Sequence, residues 1–186
     1  MLWPLVVAAA LAAVLVIYAI VLYNRLVRLR NTGDAAWADI DVHLKKRRDL
    51  VPNLVETVKG YAGHERSLLE KVTAARAQAL QATGPAETAR AEGGLARTLK
   101  SLFAVAESYP DLKANRNFLE LQQQLREIED GIEAARRYYN AVVRDLNTAI
   151  EQFPANLLAG RLGFGRREFF ELEAPAEERK PVAVAF

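Results

Sequence analysis

The chain has 186 residues, 51% of them hydrophobic and 26% charged, with a formal net charge of +2 and no cysteine. The missing cysteines exclude disulfides, thiol catalysis, cysteine-based metal sites and lipoprotein acylation, and leave the compartment open, since cysteine-free domains suit either redox setting. So small a net charge gives no argument for nucleic acid as a partner. The length suits a membrane segment plus one globular domain.

The first 24 residues carry no charged side chain. Residues 3–23 are a run of Leu, Val, Ala and Ile that, at 1.5 Å per helical residue, reaches roughly 30 Å, the hydrocarbon thickness of a bilayer. A cleaved signal would show a basic start and a small-residue cleavage site; neither is evident, so residues 1–24 are read as a transmembrane anchor. Trp3 and Tyr23 stand where amphipathic rings settle at the two lipid interfaces, and Arg25, Arg28 and Arg30 follow at once. Over residues 25–48 seven basic residues face three acidic ones. Bases beside a span are retained inside, which predicts a single pass with the N-terminus outside and the domain in the cytoplasm, its bases on anionic headgroups.

From Trp37 the apolar residues keep helical spacing: Trp37, Leu44, Val51 and Val58 on one row, Ile40, Leu54 and Tyr61 on the other. Pro52 lies off both rows, so one kinked helix is expected to run past it, ending at Gly60 and Gly63. A second helix is expected over residues 64–82 on an alanine-rich stripe of Leu68, Val72, Ala75 and Ala79, followed by a turn at residues 83–86. The third, over residues 87–108, carries Leu95, Leu99, Leu102, Ala106 and Tyr109. The fourth has the strongest periodicity, from Phe118 through Leu125, Ile132, Tyr139 and Leu146 to Phe153, where Pro154 closes it.

Short connections between two long and two shorter helices predict an all-α fold: a single transmembrane helix followed by an antiparallel four-helix bundle. Residues 25–172 would form the bundle with a C-terminal strap, and residues 173–186 a disordered tail. Phe164, Phe169 and Phe170 in the strap are expected to plug the end of the bundle, the alternative being a membrane-surface segment.

Chemistry is sparse. A di-iron bundle needs Glu-x-x-His pairs, and the only histidines, His43 and His64, have no Glu three residues before them. Ser67, Ser101 and Ser108 sit in plain helical context, and the glycines at 160, 163 and 165 lack the strand and the Gly-Lys-Ser/Thr of a phosphate cradle. No metal, cofactor or catalytic residue is expected. The run Lys45-Lys46-Arg47-Arg48 reads as a solvated face, except that Arg47 falls in line with Ile40 and Leu54, where an internal ion pair is the better expectation. Arg136-Arg137-Tyr138-Tyr139-Asn140 would suit an anionic or aromatic ligand, although Tyr139 belongs to the apolar stripe and the others would then line its margin.

Several runs together, Tyr23-Asn24-Arg25-Leu26-Val27, Ala36-Trp37-Ala38-Asp39-Ile40-Asp41-Val42, Lys46-Arg47-Arg48-Asp49-Leu50-Val51-Pro52-Asn53-Leu54-Val55, Glu107-Ser108-Tyr109-Pro110-Asp111-Leu112-Lys113-Ala114-Asn115, Asn117-Phe118, Arg136-Arg137-Tyr138-Tyr139-Asn140 and Phe153-Pro154-Ala155-Asn156, resemble the LemA family of bacterial membrane-anchored proteins. The resemblance implies a helical bundle on an N-terminal anchor in the bacterial inner membrane, and no reaction, cofactor or substrate. It leaves Arg47, Arg48, Asn53, Lys113, Asn117, Arg136, Arg137 and Asn140 as candidates for internal hydrogen bonding or a shared binding surface. The expected function is a non-enzymatic scaffold or sensor whose bundle binds a protein partner near the membrane. The alternatives are an anionic-lipid-binding organiser and an accessory subunit of a membrane enzyme.

Overall fold

The computed structural model describes residues 2–171, in which no strand occurs; the expected tail at residues 173–186 lies outside the described residues. The elements are α1 (Trp3–Lys59), α2 (Arg66–Gln81), α3 (Gly84–Ala106), α4 (Pro110–Lys113) and α5 (Arg116–Glu151), then a 3-10 turn at Ala155–Leu157. The protein is all-helical.

The expected anchor and the expected first domain helix are one element of 57 residues. Leu26, Val27, Leu29 and Ala35 carry the helix across the stretch between them with no proline to stop it. Pro52 turns its ring to solvent and the helix continues through it. α1 is long and apolar enough to cross a membrane. Its N-terminal side chains are bare, Leu15 being 68% and Ile17 61% exposed, so this segment is no core helix of a water-soluble domain.

Two expectations are corrected and one short helix is added. α3 begins at Gly84, not at residue 87, because Pro85 is tolerated in a first turn where its missing N–H has no partner to lose, and the Glu87 carboxylate accepts from both the N–H and the hydroxyl of Thr83 (3.1 Å each). A single turn, α4, precedes the fourth helix: the Asn115 carboxamide oxygen accepts the Phe118 N–H (3.0 Å), capping α5 and separating it from α4. Tyr61 and Phe153, placed on the apolar rows, are 44% and 79% exposed. Each lies just past the end of its helix, at Lys59 and Glu151, where helical spacing no longer sets direction. The Tyr61 hydroxyl accepts from the Asn115 side-chain amide at 2.8 Å.

The described residues divide into two compact units, residues 2–39 with 137–168 and residues 40–136 with 169–171. In the first, Leu22 and Leu26 of α1 cluster with Leu146 and Ala149 of α5 and with Ala155, Ala159 and Phe164 beyond it. Trp37 meets Tyr139 with ring centroids 5.4 Å apart. The segment after the 3-10 turn is clamped by Asn147, whose amide donates to the Arg167 carbonyl (3.0 Å) and accepts the Arg167 N–H (2.8 Å). The Arg167 guanidinium then reaches Asp34 at 2.6 Å. Gly33 makes room for it, since a Cβ there would stand 2.9 Å from that guanidinium.

In the second unit the core draws Val51, Leu54 and Val58 from α1, Leu69, Val72 and Ala79 from α2, Leu95, Leu99 and Leu102 from α3, Leu112 from α4 and Phe118 and Leu125 from α5. Burying such side chains is worth about 1.5–3 kcal/mol each, the main favourable term in holding the helices together. Of the strap aromatics, Phe164 and Phe170 are buried and Phe169 is half-buried.

Candidate functional site

The second unit carries a charge network inside its helical core. Arg47 occupies the apolar row of α1 between Ile40 and Leu54, and its side chain is wholly buried. Its guanidinium donates to the Glu92 carboxylate on α3 at 2.5 Å, to the Glu92 carbonyl at 3.3 Å and to the Glu129 carboxylate on α5 at 2.6 Å. One side chain therefore ties α1, α3 and α5. Glu92 is also fully buried, whereas Glu129 is 44% exposed.

Arg48, the next residue, turns toward α2. It donates to the Ala79 carbonyl (3.0 Å) and to Asp41 (3.2 Å), and its Nε stands 3.6 Å from the second Glu92 oxygen, too long for a hydrogen bond. Arg76 of α2 returns a hydrogen bond to the Arg48 carbonyl at 2.8 Å. His43 lies four residues before Arg47 on α1, its ring against Gly131 of α5, where any added Cβ would overlap it. A side chain at 131 would have to displace the His43 ring, so glycine is what admits this close approach. His43 Nδ1, Arg47 Nε, Arg48 Nε and Glu92 Oε1 are buried without a hydrogen bond.

The electrostatics follow from burial. Desolvation works against the Arg47 charge, but Glu129 and Glu92 more than offset it and hold its pKa above the ordinary value. For Glu92 desolvation wins: burial pushes its pKa above the usual carboxylate value, opposed by Arg47 and Arg48. A buried pair of this kind gives little net stability against an apolar replacement, yet removing one partner strands the other charge. The arrangement positions helices. It offers no nucleophile beside a base and no room for a substrate at the guanidinium, and among the described residues no group of three or more His, Asp or Glu could hold a metal ion.

The other sequence-chosen residues do not join the network. Asn53, Lys113 and Asn117 are exposed, Lys113 being paired with Glu107. Arg136 and Asn140 are half-buried and Arg137 is exposed. Tyr138 is 54% exposed, while Tyr139 is buried and donates its hydroxyl to the Glu168 carbonyl at 2.9 Å, so the Tyr139 ring serves packing. Arg47 is not part of any surface, because the carboxylates that satisfy it also seal it. The basic run loses two of its four cations to internal bonding, leaving Lys45 and Lys46 exposed.

Sequence reasoning found Arg47 and missed its partners. Glu92 stands three residues before Leu95 and seven before Leu99, on the buried stripe of α3, and a carboxylate on that row was the available signal. Glu129 borders its stripe, and nothing local marks it.

Several grooves open on this unit. One of about 900 Å³ runs along the end of α1 and the length of α2, with Val55, Leu69, Ala74 and Ala77 as its apolar floor and Lys59 and Glu70 among its charged rim. Another, about 350 Å³, lies between α3 and α5 at Leu99, Phe103, Gln122 and Glu129.

Residues 36–186 match the model of the LemA family. Magnetosome protein MamQ 2 of Paramagnetospirillum magneticum is 28% identical over 83% of this chain and 66% of its own length. Magnetosome protein MamQ of Magnetospirillum gryphiswaldense is 27% identical over the same shares. Protein LemA of Metamycoplasma hominis is 29% identical over 75% of this chain and 64% of its own. The matched region thus spans just under two thirds of each relative.

Proposed function

Because the chain belongs to the LemA family, a membership that brings a membrane-associated helical protein and no reaction, we propose that it is a non-enzymatic, membrane-anchored scaffold or sensor whose helices recognise another protein. The observation that carries this reading is the groove along α1 and α2, open, apolar-floored and rimmed by charges of both signs, in a unit whose buried ionic groups are spent on each other. Such a groove suits the apolar face of a partner helix. In this reading residues 1–24 are the span, and the helices beyond it pack as an antiparallel bundle in the cytoplasm, the side favoured by the bases at 25, 28 and 30. Exposed Asn53, Lys113 and Asn117 supply further polar contacts.

The lipid-organiser alternative is weakened by Arg47 and Arg48, whose guanidinium groups are turned inward, and by the burial of Phe164 and Phe170. A photocrosslinker replacing Ala77 in the full chain, in its native membrane, should form one discrete protein adduct that Ala74→Trp abolishes by filling the groove. Adducts with lipid, or none, would sink the proposal. The side is tested separately by Ser101→Cys, which should resist a membrane-impermeant thiol reagent until cells are permeabilised; labelling in intact cells would reverse the orientation.

A further inference from the structure

Beyond residue 23 most large apolar side chains left exposed are single, but Phe153 (79%), Leu157 (62%) and Leu162 (41%) fall in one short stretch after α5. The same stretch has an inward side. Ala155, Leu158 and Ala159 join the apolar cluster of Leu22 and Leu26 of α1 with Leu146 and Ala149 of α5, and Phe164 lies edge-on to Tyr23 (5.7 Å) with the Arg30 guanidinium 5.3 Å above its ring.

The contacts within this unit fix the stretch's depth along α1. Trp37 meets Tyr139, Gly33 lies beside Val142, and Leu26 and Leu22 share a cluster with Leu146 and Ala149. Contacts that descend α1 therefore ascend α5. Phe153 follows Ala149 by about one helical turn, which brings it to the level of Leu22 and Tyr23. That is where an apolar run starting at residue 3 leaves the hydrocarbon, after roughly 30 Å.

We infer that residues 153–162 are a second membrane contact: an interfacial collar that lowers Phe153, Leu157 and Leu162 into the headgroup and acyl boundary beside the exit of α1. The chemistry matches that depth. Arg25, Arg28 and Arg161 are exposed on the same unit, and guanidinium groups beside apolar side chains suit anionic headgroups over an acyl layer. The collar explains why one stretch splits its residues, with Ala155, Leu158 and Ala159 in that apolar cluster and the larger Phe153, Leu157 and Leu162 left outside. It also holds the emerging helix from a second point, so that α1 and the end of α5 enter the interface together.

The inference rests on α1 crossing the membrane, and the test separates the two. The chain has no cysteine, so single substitutions Phe153→Cys, Leu157→Cys and Leu162→Cys can each carry a spin label in the full chain, reconstituted in nanodiscs of phosphatidylcholine and phosphatidylglycerol. Leu15→Cys marks the hydrocarbon. Ala38→Cys, exposed on α1 about 22 Å beyond Tyr23, marks water. Circular dichroism confirms that each labelled chain keeps its helix content, and the three sites are exposed, so labels there disturb little packing.

The collar predicts that at 153, 157 and 162 collisions with oxygen rise, and collisions with a water-soluble nickel chelate fall several-fold, relative to residue 38. If these sites match residue 38 while residue 15 reads lipid, the collar is wrong and the anchor stands. If residue 15 also reads water, both fall. If the three sites are shielded from both reagents, protein covers them, and the lipid assignment is overturned.

Discussion

Two arginines each tie separated segments of this protein, Arg47 in one unit and Arg167 in the other, and they do so in opposite dielectric settings. Arg47 and Glu92 have no exposed side-chain surface, whereas Arg167 and Asp34 are 24% and 60% exposed. The distances, 2.5 and 2.6 Å, are nearly the same. Burial sets the energetic consequence: a guanidinium out of water must be matched or it destabilises by several kcal/mol, while one at the rim falls back on solvent. The lesson is that Arg47 specifies which helices meet, and Arg167 fastens a segment that Asn147, Tyr139 and Phe164 already hold.

The sharpest way to break that contrast is to strand one charge. Glu92→Ala should cost about 3 kcal/mol in chemical denaturation of the full chain in detergent, because Arg47 stays buried with only the part-exposed Glu129 carboxylate to answer it. The double replacement Arg47→Met with Glu92→Leu should recover most of the loss, and failure to recover would show the pair to be stabilising in its own right. Gly131→Val comes next. It drives a side chain into the His43 ring and should lower stability by roughly 1–3 kcal/mol, as overpacking does. A neutral result would mean that His43 moves aside freely.

In the other unit Asn147→Ala should cost about 1–3 kcal/mol, since it leaves the N–H and C=O of Arg167 without their partner. Asp34→Ala should cost less than about 1 kcal/mol, and the difference should shrink as salt is added. A loss as large as that of Glu92→Ala would erase the distinction between the two arginines.

The finest test is one of sign. Burial, set against Arg47 and Arg48, raises the Glu92 pKa in the folded chain above its unfolded value, which is about 4.3. Between those two values the folded state holds the proton more tightly, so stability from this group is present below the unfolded value and is lost as pH rises through the folded one. The stability of the wild type minus that of Glu92→Gln should therefore decline with rising pH across that window and then level. A rising difference would show that the Arg47 charge outweighs desolvation.

Residue by residue, the helices were legible wherever an apolar row ran unbroken, as with Leu44, Val51 and Val58 on α1 or Leu125, Ile132 and Leu146 on α5. Tyr61 and Phe153 misled because each sits two residues past a helix end, where the same spacing carries no direction. Asn115 was read as part of a motif, and its role as the cap of α5 depends on a backbone N–H three residues away. In the candidate groove, Val55 and Leu69 come from different helices, so neither stripe announced it.

The sequence by itself determined that the chain carries one apolar segment of membrane length, that residues from Trp37 to about Phe153 are mainly helical, and that Arg47 falls on a buried row needing a partner. Those properties are local, being written in hydropathy and in a repeat of three and four residues. Tertiary structure alone decided that Glu92 and Glu129 answer Arg47, that Arg48 turns to α2, and that Phe153, Leu157 and Leu162 stay outside while Ala155 and Ala159 pack inward. Those outcomes depend on which segments, distant along the chain, come within a few ångströms, and no local pattern encodes that distance.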